Sequence, residues 1–162
     1  MSQSESPTIR RLIEDSEQGD ELRWEGIPLK KYDPNREKSP NCFKDITRQV
    51  FFGEPEGLPC ELRYFEMGPG GHSTLERHHH VHGVFILQGR GRVLLGDKIH
   101  GVSPFDAIYI PPLTWHQFRA DRDSSLGFLC LVNGDRDRPM LPNPEDLSTL
   151  RQNPQVAEFI CV

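Results

Sequence analysis

At 162 residues the chain has the length of one domain with a real core and falls short of two ordinary ones. A formal net charge of −5 gives no electrostatic reason to expect nucleic acid or an anionic membrane surface as partner, which leaves small molecules as the expected ligands. No stretch approaches the ~20 apolar residues of a membrane span, and the opening MSQSESPTIRRLIEDSEQGDE has no apolar segment of the secretory type, so a cytoplasmic location is expected.

Residues 1–46 read as an arm. Charge, proline and glycine alternate there with brief apolar runs, Ile9 to Ile13 and Leu22 to Leu29, which predict a loose segment with at most one short helix. Trp24, Ile27 and Leu29 are apolar anchors that would lay the arm across a barrel edge or a neighbouring subunit. An arm that can add a strand to a partner, together with open sheet edges, predicts a homodimer.

Residues 47–132 carry the strand rhythm: RQVFFG, PCELRYFEMGPGG, VFILQGRGRVLLGD, DAIYIPP, WHQFRA and LGFLCLV follow one another between turn residues, the pattern of an all-β sandwich or barrel. Gly89-Arg90-Gly91 and Gly96-Asp97 are read as hairpin turns, and Pro111-Pro112 must end a strand or sit at a sheet edge because neither residue can donate to a ladder. No useful helix fits between Val50 and Val132. Cys42, Cys60, Cys130 and Cys161 lack CxxC spacing and read as reduced thiols, with Cys130 as a small core residue inside FLCLV. In residues 133–162 a helix is expected to start at Asn143 or Pro144, with Glu145 and Asp146 in its first turn and Leu147, Leu150, Val156 and Phe159 as an apolar stripe packed outside the barrel.

The chemistry concentrates in GGHSTLERHHHVHGVFILQG, where five of the chain's seven histidines lie between His72 and His82, and in YIPPLTWHQF, which holds His116. Residues two apart in a strand share a face, so Glu76 and His78 project together with Cα atoms roughly 7 Å apart. His82 has the same parity beyond a bend, and His116 comes from a separate strand. One carboxylate and three imidazoles suit one divalent transition metal ion per chain, Fe, Mn, Ni, Zn, Co or Cu, and suit Ca or Mg poorly. His72, His79 and His80 read as neighbours, with exchange of His80 into the ligand set left open, and His100 as a peripheral turn residue. Around the metal, strand alternation makes Gln88 a candidate hydrogen-bond donor, and Thr114 and Phe118 share parity with His116. One of Arg63 and Tyr64 must face inward: an inward Arg63 could clamp a carboxylate, an outward one would pair with a surface acid.

These residues resemble the two motifs of the cupin superfamily. The first, G-x5-H-x-H-x(3,4)-E-x6-G, is matched in spacing by Gly70, Glu76, His78, His82 and Gly89, with the glutamate and the first histidine exchanged. The second, G-x5-P-x-G-x2-H-x3-N, is matched by Pro111 and His116, while Phe105, Leu113 and Ala120 stand at its glycines and asparagine. The resemblance spans about Val50 to Val132 and is closest to small single-domain cupin-2 proteins. It implies a cupin jelly-roll β-barrel with the metal inside, an N-terminal arm and a short C-terminal helical segment. The function expected is that of a metal-dependent enzyme on a small organic substrate, either dioxygenase-like or a lyase or isomerase using the ion as Lewis acid. The alternative is a non-catalytic module that binds or senses a small ligand around a structural metal.

Overall fold

The computed structural model describes residues 8–13, 21–32 and 42–162. Among these residues nine strands, one 3-10 turn (Glu54–Glu56) and two short α-helices follow in chain order: β1 (Lys30–Lys31), β2 (Lys44–Phe52), β3 (Cys60–His72), β4 (His82–Gly89), β5 (Gly91–Leu95), β6 (Lys98–Val102), β7 (Ala107–Ile110), β8 (His116–Ala120), β9 (Leu126–Asn133), α1 (Pro144–Leu150) and α2 (Pro154–Phe159). All pairings are antiparallel, in the order β6-β5-β8-β3-β9-β4-β7, with β2 and then β1 added beside β3. β3 is long enough to belong to both layers: Cys60 to Met67 pairs with β9, while His72 at its far end pairs with Arg119 of β8. The sheet therefore curls on itself into an all-β jelly roll.

The expected strands form, with two differences in the connections. Gly89-Arg90-Gly91 is not a hairpin: β4 pairs with β7 and β9, β5 with β6 and β8, so this tripeptide is the corner where the chain crosses between layers. Gly89 has φ +74°, and a Cβ there would lie 1.8 Å from the Ser125 carbonyl oxygen, so the corner requires glycine. Lys98–Val102 is a strand of its own, and His100 lies on it opposite Val93, exposed, rather than in a turn. β7 stops at Ile110, before the proline pair. Phe105 (φ 76°) and Leu113 (φ 59°), which stand at the second motif's glycines, hold the left-handed backbone that glycine would adopt freely.

Alternation divides the buried residues between two cores. Ile46, Met67, Val84, Ile86, Val93, Phe118, Phe128 and Cys130 fill the barrel. Leu75, Leu94 and Trp115 point outward, where Leu150, Val156 and Phe159 of the helices cover them. The start of α1 follows its sequence signal: Asn143 accepts from the Asp146 N–H at 2.8 Å and Asp146 returns a bond to the Asn143 N–H at 3.0 Å.

The arm lies over the outer face of its own β2 and β3. Trp24 meets the rings of Phe51 and Tyr64 edge-on, each at 4.7 Å between centroids. Polar side chains on that face satisfy the arm's backbone: Leu22 N–H donates to Glu66 at 2.9 Å, Trp24 N–H to Gln49 at 3.2 Å, and Gln49 returns a bond to the Leu22 carbonyl at 2.8 Å. Among the described arm residues none is helical, and the rest of the segment in which a short helix was expected lies outside the described residues.

Candidate metal centre

The long connection from β3 to β4 and the entry to β8 meet at the barrel mouth. Glu76 and His116 form a backbone bridge, with N–H to carbonyl distances of 3.2 Å and 3.0 Å in the two directions, so their side chains emerge on one face. His78 follows in an irregular segment pinned by Leu113 N–H on the His78 carbonyl at 2.7 Å. His82 opens β4.

His78, His82 and His116 each offer a ring nitrogen, and these atoms lie within 4.8 Å of one another. His78 and His116 are buried, at 1% and 3% exposure. Their outer nitrogens are anchored on backbone carbonyls: His78 Nδ1 donates to the His80 carbonyl at 2.7 Å and His116 Nδ1 to the Thr114 carbonyl at 2.9 Å. Those bonds set the tautomer that leaves Nε2 as a bare lone pair facing inward. His78 Nε2 is buried with no hydrogen-bond partner. Unpaired buried acceptors are costly, and a bound cation removes that cost, so the three imidazoles could hold a metal ion.

Glu76 is not one of this trio. Its carboxylate stands 4.0 Å from His116 Nε2 and lines the same cavity, where burial pushes its pKa up to about 7 against a weaker downward pull from Arg63. Burial likewise holds His116 down at about 4, and burial together with the neighbouring imidazoles lowers His82 further. All three trends favour uncharged side chains, the state in which imidazoles accept a metal.

His80, read from the sequence as a neighbour whose exchange into the ligand set stays open, lines the cavity too. Its ring stacks on His78 at 3.5 Å, its Nδ1 donates to Asp137 Oδ1 at 2.7 Å, and its Nε2 faces His82 Nε2 at 3.2 Å. At that distance either a proton on His82 Nε2 or a cation must lie between the two ring nitrogens. Asp137 also accepts from the backbone N–H groups of His79 and His80, at 2.8 Å and 3.0 Å. His72 lies elsewhere, on the Ser73 carbonyl at the end of β3.

The remaining candidates separate. Arg63 faces inward, 7% exposed, and lines the cavity beside Phe118. Gln88 does not reach it: a register shift between Ile86 and Gln88 turns its side chain to the outer face, where Nε2 donates to Tyr64 Oη at 3.0 Å. Thr114 lies before β8 begins, so strand parity does not govern it; it contributes its carbonyl to His116, while Ser73 and Thr74 line the cavity. Cys130, paired in register with Arg63, lines the cavity as well. Its Sγ is 3.6 Å from Arg63 Nη2 and 3.5 Å from His82 Nδ1. The alternation Phe128, Cys130, Val132 carried the signal for an inward thiol; nothing in GDRDRP announced Asp137.

These groups enclose about 330 Å³. The cavity is walled by Ile46, Phe65, Phe118 and Phe128 and carries Arg48, Arg63 and Arg136 beside the histidines, a space suited to a small polar metabolite.

A family model described as the cupin domain (cupin 2) matches residues 63–132. The chain is 51% identical over 140 residues to 1-methylthio-D-xylulose 5-phosphate methylsulfurylase of Rhodospirillum rubrum, covering 86% of this chain and 87% of that one. A cupin 2 conserved barrel domain protein from Rhodopseudomonas palustris superposes with a TM-score of 0.83 at 46% identity, over 94% of this chain and 99% of that one. A cupin-2 domain from Rhodospirillum rubrum gives 0.78 at 53%, over 85% and 89%.

Proposed function

The chain belongs to the cupin-2 family, and from that premise we propose that it is a metal-dependent enzyme that removes the methylthio group from a 1-methylthio ketose phosphate, the substrate class in the name of its 51% identical relative. One observation carries the reading: a single cavity holds the imidazole trio, one thiol and several arginines. A methylthio group on the carbon beside a ketone can be taken at sulfur by a thiolate, because the carbon then leaves as an enolate. The electron pair of the broken C–S bond moves onto the ketone oxygen, an S–S bond forms, and a proton delivered to the carbon completes a 1-deoxy ketose.

His78, His82 and His116 would hold the ion, which supplies a Lewis acid for a substrate oxygen when bound. Cys130 is placed to accept the methylthio group. Burial pushes its thiol up, the Arg63 guanidinium draws it back, and in the tautomer with Nε2 free the His82 Nδ1–H also points at Sγ, so two donors stabilise the thiolate. Glu76, with a pKa near 7, can hold or release the proton exchanged with the enolate carbon. A small-molecule thiol then takes the methylthio group from Cys130 by thiol–disulfide exchange. All four cysteines are free, in keeping with a reducing, cytoplasmic setting. Phe85, Tyr109 and Leu131 are exposed and apolar and suit a homodimer contact, which light scattering tests; a monomer would exclude it.

Incubating the metal-loaded protein with 1-methylthio-D-xylulose 5-phosphate and excess thiol should yield the 1-deoxy sugar phosphate and a methyl disulfide. No loss of substrate with any of Mn, Fe, Co, Ni, Zn or Cu would overturn the reading; oxygen consumption without methylthio release would favour a dioxygenase instead.

A further inference from the structure

Three arginines line the cavity, against Glu76 and Asp137, in a chain whose formal net charge is −5. Two of the three are accounted for. Arg136 Nη2 pairs with Glu61 at 2.8 Å and its Nη1 caps the Asn133 and Gly134 carbonyls. Arg63 lies against Cys130 and over the Phe65 ring. The Asp137 carboxylate is taken up by His79 and His80.

Arg48 differs. It makes no hydrogen bond or ion pair to any described residue, and its Nε, like that of Arg63, is buried without a hydrogen-bond partner. Arg48 is half-buried and a guanidinium keeps its proton, so the cavity retains a cation whose hydrogen-bonding fork has no partner among the described residues. Its place is defined by register. Arg48 pairs with Phe65 on β3, and Arg63 is two residues along the same face, itself paired with Cys130. Diagonal neighbours of this kind are roughly 7–8 Å apart, so Arg48 stands one step farther from the thiol than Arg63 does.

We propose that Arg48 is the phosphate anchor of the cavity, binding the phosphate monoester of a ketose phosphate whose opposite end lies at Cys130 and the imidazole trio. The planar fork matches a phosphate bidentately, and the separation from Cys130 lets a short sugar chain span the two ends. Arg48 is thus the residue that selects phosphorylated over free sugars. The assignment rests on the reading of the substrate as a ketose phosphate, but its test needs no methylthio chemistry.

Calorimetric titration of D-xylulose 5-phosphate, D-xylulose and inorganic phosphate into wild type, Arg48→Ala and Arg48→Lys provides that test. Wild type should bind the phosphorylated sugar more tightly than the free one. Arg48→Ala should lose roughly 10- to 100-fold for D-xylulose 5-phosphate, the scale of a lost charged hydrogen-bond pair, and nothing for D-xylulose. Arg48→Lys should recover part of that loss, since it keeps the charge without the fork. Equal affinity of wild type and Arg48→Ala for D-xylulose 5-phosphate, equal wild-type affinity for the two sugars, or no wild-type binding of the phosphate would overturn the proposal. Arg48-dependent phosphate binding without methylthio turnover would overturn the proposed reaction and leave the anchor in place; unchanged turnover in Arg48→Ala would do the reverse.

Discussion

Glu76 and His116 are locked together by a two-way backbone bridge that sets the Glu76 carboxylate 4.0 Å from His116 Nε2. A carboxyl with a pKa near 7 beside an imidazole that could hold a metal would make protons and metal compete. Metal affinity is expected to fall as pH drops through about 7, and Glu76→Gln should flatten that dependence while lowering affinity by about 10- to 100-fold. Metal titrations monitored at pH 6 and pH 8 check this; identical pH slopes in both proteins would remove Glu76 from the site's chemistry.

Without metal, the same cluster makes stability pH-dependent. His78, His82 and His116 are all depressed by burial, so below the ordinary imidazole pKa of about 6.5 the unfolded chain takes up protons that the folded one refuses. Their contribution is present above 6.5 and is lost as pH falls toward the folded values. Glu76 acts in the opposite sense: its contribution is present below its unfolded pKa and lost as pH rises through about 7. Three imidazoles outweigh one carboxyl, so the Tm of metal-free protein should decline between pH 6.5 and 4.5. A flat Tm across that window would contradict the buried, neutral cluster.

Cys130→Ala should abolish methylthio transfer while leaving metal content and fold intact, because a small core side chain is replaced by a slightly smaller one. Intact-protein mass spectrometry of wild type quenched during turnover without added thiol should show a gain of one methylthio group, confined to Cys130. Turnover by Cys130→Ala at the wild-type rate would assign the acceptor role elsewhere.

Asp137→Ala should release His80 and the two backbone N–H groups beside it. Loss of a partner that orients an imidazole near a metal typically weakens binding about 10- to 100-fold. Asp137→Asn, which keeps an acceptor oxygen, should retain part of the affinity. Metal titrations that leave both variants at wild-type affinity would make His80 a bystander.

Phe105 is 77% exposed yet holds φ 76°. Phe105→Gly relieves a left-handed strain of about 1–2 kcal/mol and gives back part of it through the looser unfolded chain, for a net gain of up to about 1 kcal/mol in chemical denaturation. A loss of stability would show that the ring's contact with Phe85, at 6.3 Å between centroids, outweighs the strain.

Much of this arrangement was legible in the sequence. Strand rhythm, the proline stop and the Asn143 cap follow local rules, and the motif spacing brings His78, His82 and His116 together. What escaped is what depends on pairing between distant segments. Gly89-Arg90-Gly91 reads as a hairpin until β4 and β5 are seen to choose different neighbours. The bulge before Gln88 reverses the face that alternation assigned it, a one-residue shift with no composition signal. Arg63 and Tyr64 are both buried because the arm covers the outer face, so burial of one did not exclude the other. Asp137 reaches His80 across 57 residues of chain.

The account turns on His78, His82 and His116 holding one ion through their inward Nε2 atoms. Metal analysis of anaerobically reconstituted wild type against His78→Ala and His116→Ala, each checked for fold by circular dichroism, tests this most directly. About one divalent transition metal ion per wild-type chain and less than a tenth of that in folded variants is the predicted result. No stoichiometric metal in wild type, or full occupancy in either folded variant, would contradict it.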